Sequence, residues 1–246
     1  MKILFISLGC DKNLADTEMM LGTLVQRGFS ITDDEAQAQA VVVNTCCFIN
    51  DAKQESINTL LEMAELRKSG AVKALIAAGC LAQRYREEIQ KEIPEVDVIV
   101  GTTAIDAIAD ALEEVLAGKP QNYLKDISHM PAVYDHSAEH KRIVTTGGHY
   151  AYLKIAEGCD KHCSYCIIPK VRGHYRSIPM EELILEAERL VSFGAKEIIL
   201  VAQETTLYGM DLYGEKRLPE LLKRLCAIAG VYWIRLLYCY PEEITD

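Results

Sequence analysis

The chain has 246 residues, half of them hydrophobic, with 36 acidic and 26 basic residues and a formal net charge of −10. This length and apolar content suffice for two domains with their own cores, whereas the charge disfavours direct nucleic-acid binding and is compatible with a basic protein partner. No stretch approaches the roughly 20 apolar residues that cross a bilayer, and Asp11 and Lys12 follow the first apolar run without a cleavage site. We therefore expect a cytoplasmic protein without a membrane partner, in which thiols stay reduced.

The first third of the chain alternates apolar runs with helical patterns, which predicts βαβ units and a mainly parallel, Rossmann-like sheet. Strands are predicted at 2–8, 40–44, 72–78 and 96–100. Helices are predicted at 14–27, 51–68, 83–91 and 104–117. Three of these helices are followed by a glycine, which commonly ends a helix.

A cysteine follows each of the first three predicted strands. Cys10, Cys46 and Cys80 lie just past apolar runs, and the carboxyl ends of parallel strands share one edge, where open α/β sheets bind ligands. Three thiolates there can bind a [4Fe–4S] cluster and leave one iron open, and the glycines that precede two of these cysteines allow a bulky cofactor to approach. A lone cysteine more often packs as a small apolar residue, which is how we interpret Cys47.

Residues 119–148 contain prolines and glycines without a steady period, which predicts an interdomain linker. The predicted domains are therefore 1–118 and 149–246. Three histidines of this segment are interpreted as exposed side chains and not as metal ligands: His129, His136 and His140.

The most specific motif is a CxxxCxxC run formed by Cys159, Cys163 and Cys166. Three thiolates again leave one iron of a [4Fe–4S] cluster open, which indicates chemistry and not only structural support. A structural zinc site remains an alternative, although such sites normally use CxxC pairs with a second pair downstream, and Cys226 and Cys239 do not form one. Disulfides are disfavoured because nine cysteines is an odd number and nothing indicates an oxidising compartment.

The CxxxCxxC spacing resembles the signature of the radical S-adenosylmethionine enzymes, in which an aromatic residue, here Tyr165, usually precedes the last cysteine. Together with the first cysteine set on a Rossmann-like sheet, it resembles the methylthiotransferase family, whose members insert sulfur and a methyl group at an unreactive C–H bond. The similarity covers the runs 9–18, 44–46, 78–80 and 150–172. The similarity is greatest to the branch that modifies an aspartate of a small-subunit ribosomal protein. The segments that carry this similarity are 10–14, 149–155, 166–169, 203–206 and 208–209. Asp11 departs from the proline that the family often has.

The resemblance implies two [4Fe–4S] clusters and S-adenosyl-L-methionine as cofactors. Its metal ligands would be Cys10, Cys46 and Cys80 for one cluster and the catalytic Cys159, Cys163 and Cys166 for the other. Tyr165, Gln203 and Glu204 would bind the cofactor, although Gln203 and Glu204 could instead be a solvated pair at a strand end. The implied partners are a small-subunit ribosomal protein as substrate and an electron donor such as flavodoxin or ferredoxin.

A basic loop follows the CxxxCxxC run. It could neutralise the cofactor region or the acid of the substrate, but we interpret it as solvated. Its members are Lys170, Arg172, His174 and Arg176.

The resemblance also implies that residues 149–246 form the first part of a radical-SAM (βα) partial barrel. Strands are predicted at 151–156, 196–202 and 232–238, and helices at 179–193 and 218–229. Because the family's barrel has further βα units, we expect the chain to be a fragment of a longer protein. The predicted fold class is α/β, with a Rossmann-like parallel sheet domain followed by this partial barrel.

Three alternatives remain at this point. A transfer-RNA methylthiotransferase would keep the chemistry and change the substrate, but its branch tends to carry Gln-Met-Asn after the first cysteine, where this chain has Asp11-Lys12-Asn13. A non-catalytic iron–sulfur protein for electron transfer or redox sensing would be expected to ligate its cluster fully. A zinc-scaffolded binding module is the third alternative.

Overall fold

The computed structural model describes residues 1–134 and 142–243, so His136 and His140 lie outside the described residues. The described residues divide into two compact units, 1–131 with 142–143 and 132–134 with 144–243. Both units are α/β, and the predicted fold class is confirmed. The domain boundaries predicted at 118 and 149 stay a prediction. No described helix is long and apolar enough to span a membrane.

The first unit is built on five parallel strands. The strands are β1 (Lys2–Ser7), β2 (Ser30–Thr32), β3 (Ala40–Thr45), β4 (Leu75–Ala78) and β5 (Val98–Val100), and the helices are α1 (Asp11–Gln26), α2 (Asn50–Lys68), α3 (Gly79–Arg84), α4 (Arg86–Glu92) and α5 (Ile108–Leu116). The sheet order is β2-β1-β3-β4-β5, and every pairing is parallel. Strands β3 and β4 are buried along their whole length, as central strands of a parallel sheet are.

Three local features of this unit differ from the sequence-based expectation. The short edge strand β2, which pairs with Lys2–Leu4, is not predicted because three residues carry too little periodicity. The single helix predicted at 83–91 is instead α3 and α4, because the backbone at Tyr85 (φ −119°, ψ 33°) leaves the helical region. The helix predicted at 104–117 begins with the 3-10 turn Ile105–Ala107 before α5.

Part of the predicted linker extends the edge of this sheet. The Tyr123 N–H donates to the Ile99 carbonyl (2.9 Å), and the Gly101 N–H donates to the Tyr123 carbonyl (2.8 Å). The Asn122 side chain accepts from the Ile99 N–H at 2.9 Å. These bonds satisfy backbone groups at the outer edge of β5.

The second unit contains the beginning of a βα series. Its strands are β6 (Tyr150–Lys154), β7 (Ala156–Glu157), β8 (Arg176–Ser177), β9 (Glu197–Val201) and β10 (Trp233–Leu236), and its helices are α6 (Ile168–Arg172), α7 (Met180–Ser192), α8 (Met210–Tyr213) and α9 (Leu218–Cys226). Strands β10, β9 and β6 form a parallel sheet in that order, and β7 pairs with β8 antiparallel. The predicted strands and helices of this region are therefore present, with ends that differ by at most three residues.

Candidate functional site

The first candidate site lies at the carboxyl edge of the five-stranded sheet. Ser7 pairs with Asn44, and Asn44 pairs with Ala78, so the ends of β1, β3 and β4 are aligned in one row. The three predicted ligands follow this row within two or three residues: Cys10 at the N-cap of α1, Cys46 directly after β3, and Cys80 in the first turn of α3. Cys46 and Cys80 are buried, and Cys10 is half-buried.

An open cleft of about 740 Å³ lies at this edge. Cys10 and Cys46 both line it, together with the exposed apolar side chains of Phe48 and Ile49. Cys80 follows Gly79, which forms a bridge with Thr45, the residue before Cys46. The tertiary structure thus brings loops that are far apart in sequence to one place.

The glycines before Cys10 and Cys80 make room for the neighbouring loop. Gly9 has a φ of +90°, and a Cβ atom there would lie 2.7 Å from the Cys46 Sγ atom. Gly79 has a φ of +87°, and a Cβ atom there would overlap the side chain of Asn44 and the backbone of Thr45. The sequence analysis predicted that these glycines allow a cofactor to approach. In the structure, the space beside both glycines is instead occupied by a neighbouring protein loop.

The polar residues at the start of α1 are functional candidates that the sequence reasoning missed. Five consecutive or nearly consecutive polar side chains are buried there: Lys12, Asn13, Asp16, Thr17 and Glu18. Burial of so many polar groups on one helix requires specific partners. Arg142 supplies one, since its Nε atom donates to the Glu18 carboxylate at 2.8 Å.

The second candidate site is the CxxxCxxC loop, which follows β7. The Cys159 N–H donates to the Gly173 carbonyl (3.1 Å), and the Cys166 N–H donates to the Cys163 carbonyl (3.0 Å). The Lys161 N–H donates to the Cys159 Sγ atom at 3.4 Å. Cys159 is buried, whereas Cys163 and Cys166 are half-buried and accessible to a ligand.

The surroundings of Cys159 disfavour a free thiolate. Burial raises the pKa of its thiol, and the Lys161 N–H lowers it again in part. The charges of Glu204, Cys166 and Cys163 also raise this pKa. A bound cation would offset these costs, because a thiol that coordinates a metal is deprotonated.

A buried charge cluster lies beside this loop. The Glu157 carboxylate is fully buried and pairs with Arg172 (2.9 Å) and with Lys154, and it accepts from the Gln203 Nε2 atom at 2.8 Å. Burial would raise the pKa of Glu157, but the positive charges of Arg172 and Lys154 outweigh it and hold the pKa at about 2. The interpretation of Arg172 as part of a solvated loop is wrong, because only 2% of this residue is exposed.

Gln203 and Glu204 are not a solvated pair either. Glu204 is 2% exposed, and its Oε1 atom accepts from the Thr206 N–H at 3.0 Å. The Oε1 atom of Gln203 is buried without a hydrogen-bond partner among the described residues. Tyr175, which is also buried, carries a phenol whose pKa burial raises. Tyr165 is different, since 87% of it is exposed.

The donor set of both sites fits an iron–sulfur cluster. Within the described residues, no three His, Cys, Asp or Glu side chains converge on a single metal ion. Each set supplies three thiols, which is the number that a [4Fe–4S] cluster with one open iron binds. A structural zinc site normally needs a fourth ligand.

Two family models match the chain. Residues 2–101 match the uncharacterized protein family UPF0004, and residues 153–243 match the radical SAM superfamily. The two matches contain all six predicted cysteine ligands between them.

Curated relatives are similar over the whole chain. The chain is 62% identical over 246 residues to the ribosomal protein uS12 methylthiotransferase RimO of Lachnoclostridium phytofermentans, which covers 100% of this chain and 55% of that relative. It is 51% identical to the protein of the same name from Acetivibrio thermocellus, over 100% of this chain and 54% of that relative. The chain thus spans about half the length of the curated relatives it matches.

Solved structures show a similar fold at low sequence identity. The radical S-adenosylmethionine methyltransferase TsrM from Kitasatospora setae, solved with cobalamin and a [4Fe-4S] cluster bound, has a TM-score of 0.55 at 12% identity, covering 90% of this chain and 51% of that one. The cobalamin-dependent radical enzyme OxsB has a TM-score of 0.54 at 10% identity, covering 92% and 36%. The two family models and the curated relatives agree, and the chain is similar over its whole length to about half the length of these methylthiotransferases, with a radical SAM superfamily match in residues 153–243.

Proposed function

We propose that this chain carries the two iron–sulfur sites of a methylthiotransferase that acts on ribosomal protein uS12 and adds a methylthio group to the β-carbon of an aspartate. The observation that supports this most is the presence of two separate three-cysteine sets, each next to strand ends in its own unit. The relatives named above, which carry uS12 in their names, support the choice of substrate.

The six cysteines divide into two sets with different roles. We assign Cys10, Cys46 and Cys80 to one [4Fe–4S] cluster on the predicted domain 1–118. The second cluster belongs to the predicted domain 149–246, and its ligands are Cys159, Cys163 and Cys166. When bound, a three-thiolate cluster with S-adenosylmethionine supplies a radical that can remove hydrogen from an unreactive carbon.

The chain's own polar residues would hold the cofactor in place. The Gln203 Oε1 atom is buried and lacks a partner, and its Nε2 atom is held by Glu157, so the amide is oriented before a ligand arrives. This supports Gln203 as a cofactor-binding residue. Glu204 is buried near Cys159 and is assigned the same role, as is the exposed Tyr165 within the CxxxCxxC loop. The radical chemistry needs such placement because the protein's share is binding, orientation and the exclusion of side reactions.

The partners follow from the reaction and from the charge. The net charge of −10 suits a basic substrate such as a ribosomal protein. Reductive cleavage of S-adenosylmethionine needs an electron donor, for which a flavodoxin or a ferredoxin of the cytoplasm is the proposal. The transfer-RNA and electron-transfer alternatives receive no support from the comparisons.

Anaerobic reconstitution with iron and sulfide tests the cofactor assignment. The parent chain is expected to bind about eight irons, and Cys10→Ala and Cys159→Ala are each expected to halve this number. S-adenosylmethionine is expected to shift the EPR spectrum of the parent and of Cys10→Ala, but not that of Cys159→Ala. Cys226→Ala is the matched control, since Cys226 is an exposed cysteine outside both sets. Iron content that is insensitive to Cys10→Ala would contradict the first cluster.

Mass spectrometry of uS12 tests the substrate assignment. Reduced, reconstituted enzyme with S-adenosylmethionine is expected to increase the mass of one uS12 aspartate by one methylthio group. The Lachnoclostridium phytofermentans relative, and the same relative without the cysteine that corresponds to Cys159, serve as positive and negative references. A modified transfer-RNA nucleoside with unmodified uS12 would contradict the proposal.

A further inference from the structure

One buried amide holds together the loops that carry Cys10 and Cys46. Asn13 on α1 is 1% exposed. Its Nδ2 atom donates to the Leu8 carbonyl at 2.7 Å and to the Thr45 carbonyl at 3.2 Å, with a longer contact to the Asn44 carbonyl at 3.4 Å. Leu8 lies two residues before Cys10, and Thr45 lies directly before Cys46. A single side chain therefore bridges the two loops at the point where the thiols emerge.

Asn44 returns this contact from β3. Its Nδ2 atom donates to the Asn13 carbonyl and to the Thr17 hydroxyl, both at 2.9 Å. The Thr17 hydroxyl is in turn 2.8 Å from the Ser7 hydroxyl at the end of β1. The first turns of α1 are thus fixed to two adjacent strand ends by side-chain hydrogen bonds, in addition to the sheet pairing.

Ser56 on α2 holds Cys46 itself. Its hydroxyl accepts from the Cys46 N–H at 2.9 Å and donates to the Cys46 carbonyl at 3.0 Å. The Thr45 hydroxyl accepts from the Ala82 N–H at 3.2 Å, which connects this loop to the helix that carries Cys80. The backbone of Cys46 is therefore held on both sides, although no regular secondary structure includes it.

These polar contacts are concentrated around the cysteine loops. The adjoining strands β3 and β4 are otherwise apolar and buried, so the Asn13 amide needs the Leu8 and Thr45 carbonyls as acceptors, and these carbonyls need its donor in turn. Buried side-chain hydrogen bonds make a site rigid, and they do so at a cost in desolvation that apolar packing avoids. The network coincides with the three cysteine loops, so rigidity is supplied where ligand spacing matters.

We propose that Asn13, with Asn44 and Ser56, is a positioning residue that sets the spacing of the Cys10 and Cys46 thiolates for cluster binding. This inference rests on the proposed function, because it concerns the cluster assigned to these cysteines. Residues behind the ligands orient them, and their loss commonly lowers metal affinity by about 10 to 100-fold. The carboxyl-terminal cluster, whose ligands share one short loop, does not depend on this network.

The test uses the chain with Cys159→Ala, so that only the amino-terminal cluster is observed. Asn13→Leu removes the amide donors and keeps the number and branching of the side-chain heavy atoms. Asn122→Leu is the matched control, because Asn122 also bonds backbone, at Ile99, but its contacts lie at the edge of β5 and not in a cysteine loop. The measurements are iron content, the EPR spectrum and reduction potential of the cluster, the rate of cluster loss to a chelator, and thermal unfolding of the apo chain.

Asn13→Leu is expected to lose its cluster at least about tenfold faster than Asn122→Leu. Its EPR spectrum is expected to differ from that of Asn122→Leu. Without the cluster, the Asn13→Leu chain is still expected to unfold cooperatively. An Asn13→Leu cluster with the loss rate and spectrum of Asn122→Leu would overturn the inference and leave the proposed function intact. If Asn13→Leu does not fold, Ser56→Ala decides in the same way, since it removes only the two bonds to Cys46. A Cys159→Ala chain that binds no iron would overturn the cluster assignment, and the inference with it.

Discussion

The two cysteine sites differ in the distance along the chain that separates their ligands. Cys159 and Cys166 are seven positions apart, whereas Cys10, Cys46 and Cys80 are separated by 36 and 34 positions. The cysteines of the CxxxCxxC run are close together in any conformation, but Cys10, Cys46 and Cys80 meet only when three strands align. Closing the loops of 36 and 34 positions costs roughly 2 kcal/mol more per loop than closing the four- and three-position loops of the CxxxCxxC run, because each doubling of length adds about 0.6 kcal/mol. The amino-terminal site must therefore be assembled by folding.

The two sites are also supported by different chemistry. Neutral hydrogen bonds from Asn13, Asn44 and Ser56 surround the amino-terminal loops. Beside the carboxyl-terminal loop, Arg172 and Lys154 neutralise one buried carboxylate, Glu157. The hydrogen bonds around the amino-terminal loops set the spacing between separate loops. The buried charge cluster fixes the strand from which the single CxxxCxxC loop begins.

Denaturation before reconstitution gives the largest expected difference between the sites. In urea that unfolds the chain, we expect about four irons per chain on the CxxxCxxC run, because its cysteines stay close, and none on the amino-terminal set. Iron analysis of Cys10→Ala and Cys159→Ala in the same urea would check this. Equal loss of iron in the two variants would show that both sites require the folded state.

Removal of Arg172 is expected to have the next largest effect. Arg172→Met leaves the buried Glu157 with one cation fewer, and breaking a buried pair commonly costs about 3 to 5 kcal/mol. Urea unfolding followed by far-UV circular dichroism would measure it. Arg224→Met is the control, because Arg224 forms an exposed pair with Glu181 and should cost less than about 1 kcal/mol. Similar losses in the two variants would mean that the buried cluster is not important for stability.

The close packing of the amino-terminal loops is expected to have an intermediate effect. Gly79→Ala places a Cβ atom against Thr45 and Asn44 at a φ of +87°, and should cost more than the roughly 1 to 2 kcal/mol of the backbone conformation alone. Gly28→Ala is the matched control, since Gly28 has the same φ of +87° and nothing within 4 Å. The measurement is apo stability with iron content, where only Gly79→Ala should reduce the amino-terminal cluster. Equal free energies of unfolding and equal iron contents for Gly79→Ala and Gly28→Ala would contradict the steric argument.

Tyr165 is expected to show the smallest effect on stability. Because 87% of this residue is exposed, Tyr165→Ala should change the free energy of unfolding by less than about 0.5 kcal/mol and leave the iron content unchanged. Because Tyr165 is a proposed cofactor-binding residue, its replacement should weaken the EPR response to S-adenosylmethionine. Tyr232→Ala, at another exposed tyrosine, is the control for that response. An unchanged titration with S-adenosylmethionine would remove Tyr165 from the site.

Sequence reasoning was most successful where the signal is local or repeated. The longer strands of both units follow from apolar runs, and the CxxxCxxC spacing predicts a cluster loop without any structure. It was least successful for buried polar residues, since Arg172, Gln203 and Glu204 look like solvated residues in the sequence and are buried or half-buried in the fold. The bridging contacts of Asn13 could not be predicted from the sequence, because its partners are backbone carbonyls of two loops, one of them more than 30 residues away.

By itself, the sequence determined the fold class, the longer strands and helices in their order along the chain and the six candidate ligands, because apolar periodicity and the position of a cysteine after an apolar run are local properties. Only the tertiary structure decided that Ser7, Asn44 and Ala78 share one row, that Asn13 bridges two cysteine loops and that Arg172 neutralises Glu157. These contacts depend on register and burial, which arise from the packing of distant segments. No local pattern encodes them, because a polar side chain becomes a buried partner only where another segment excludes water around it.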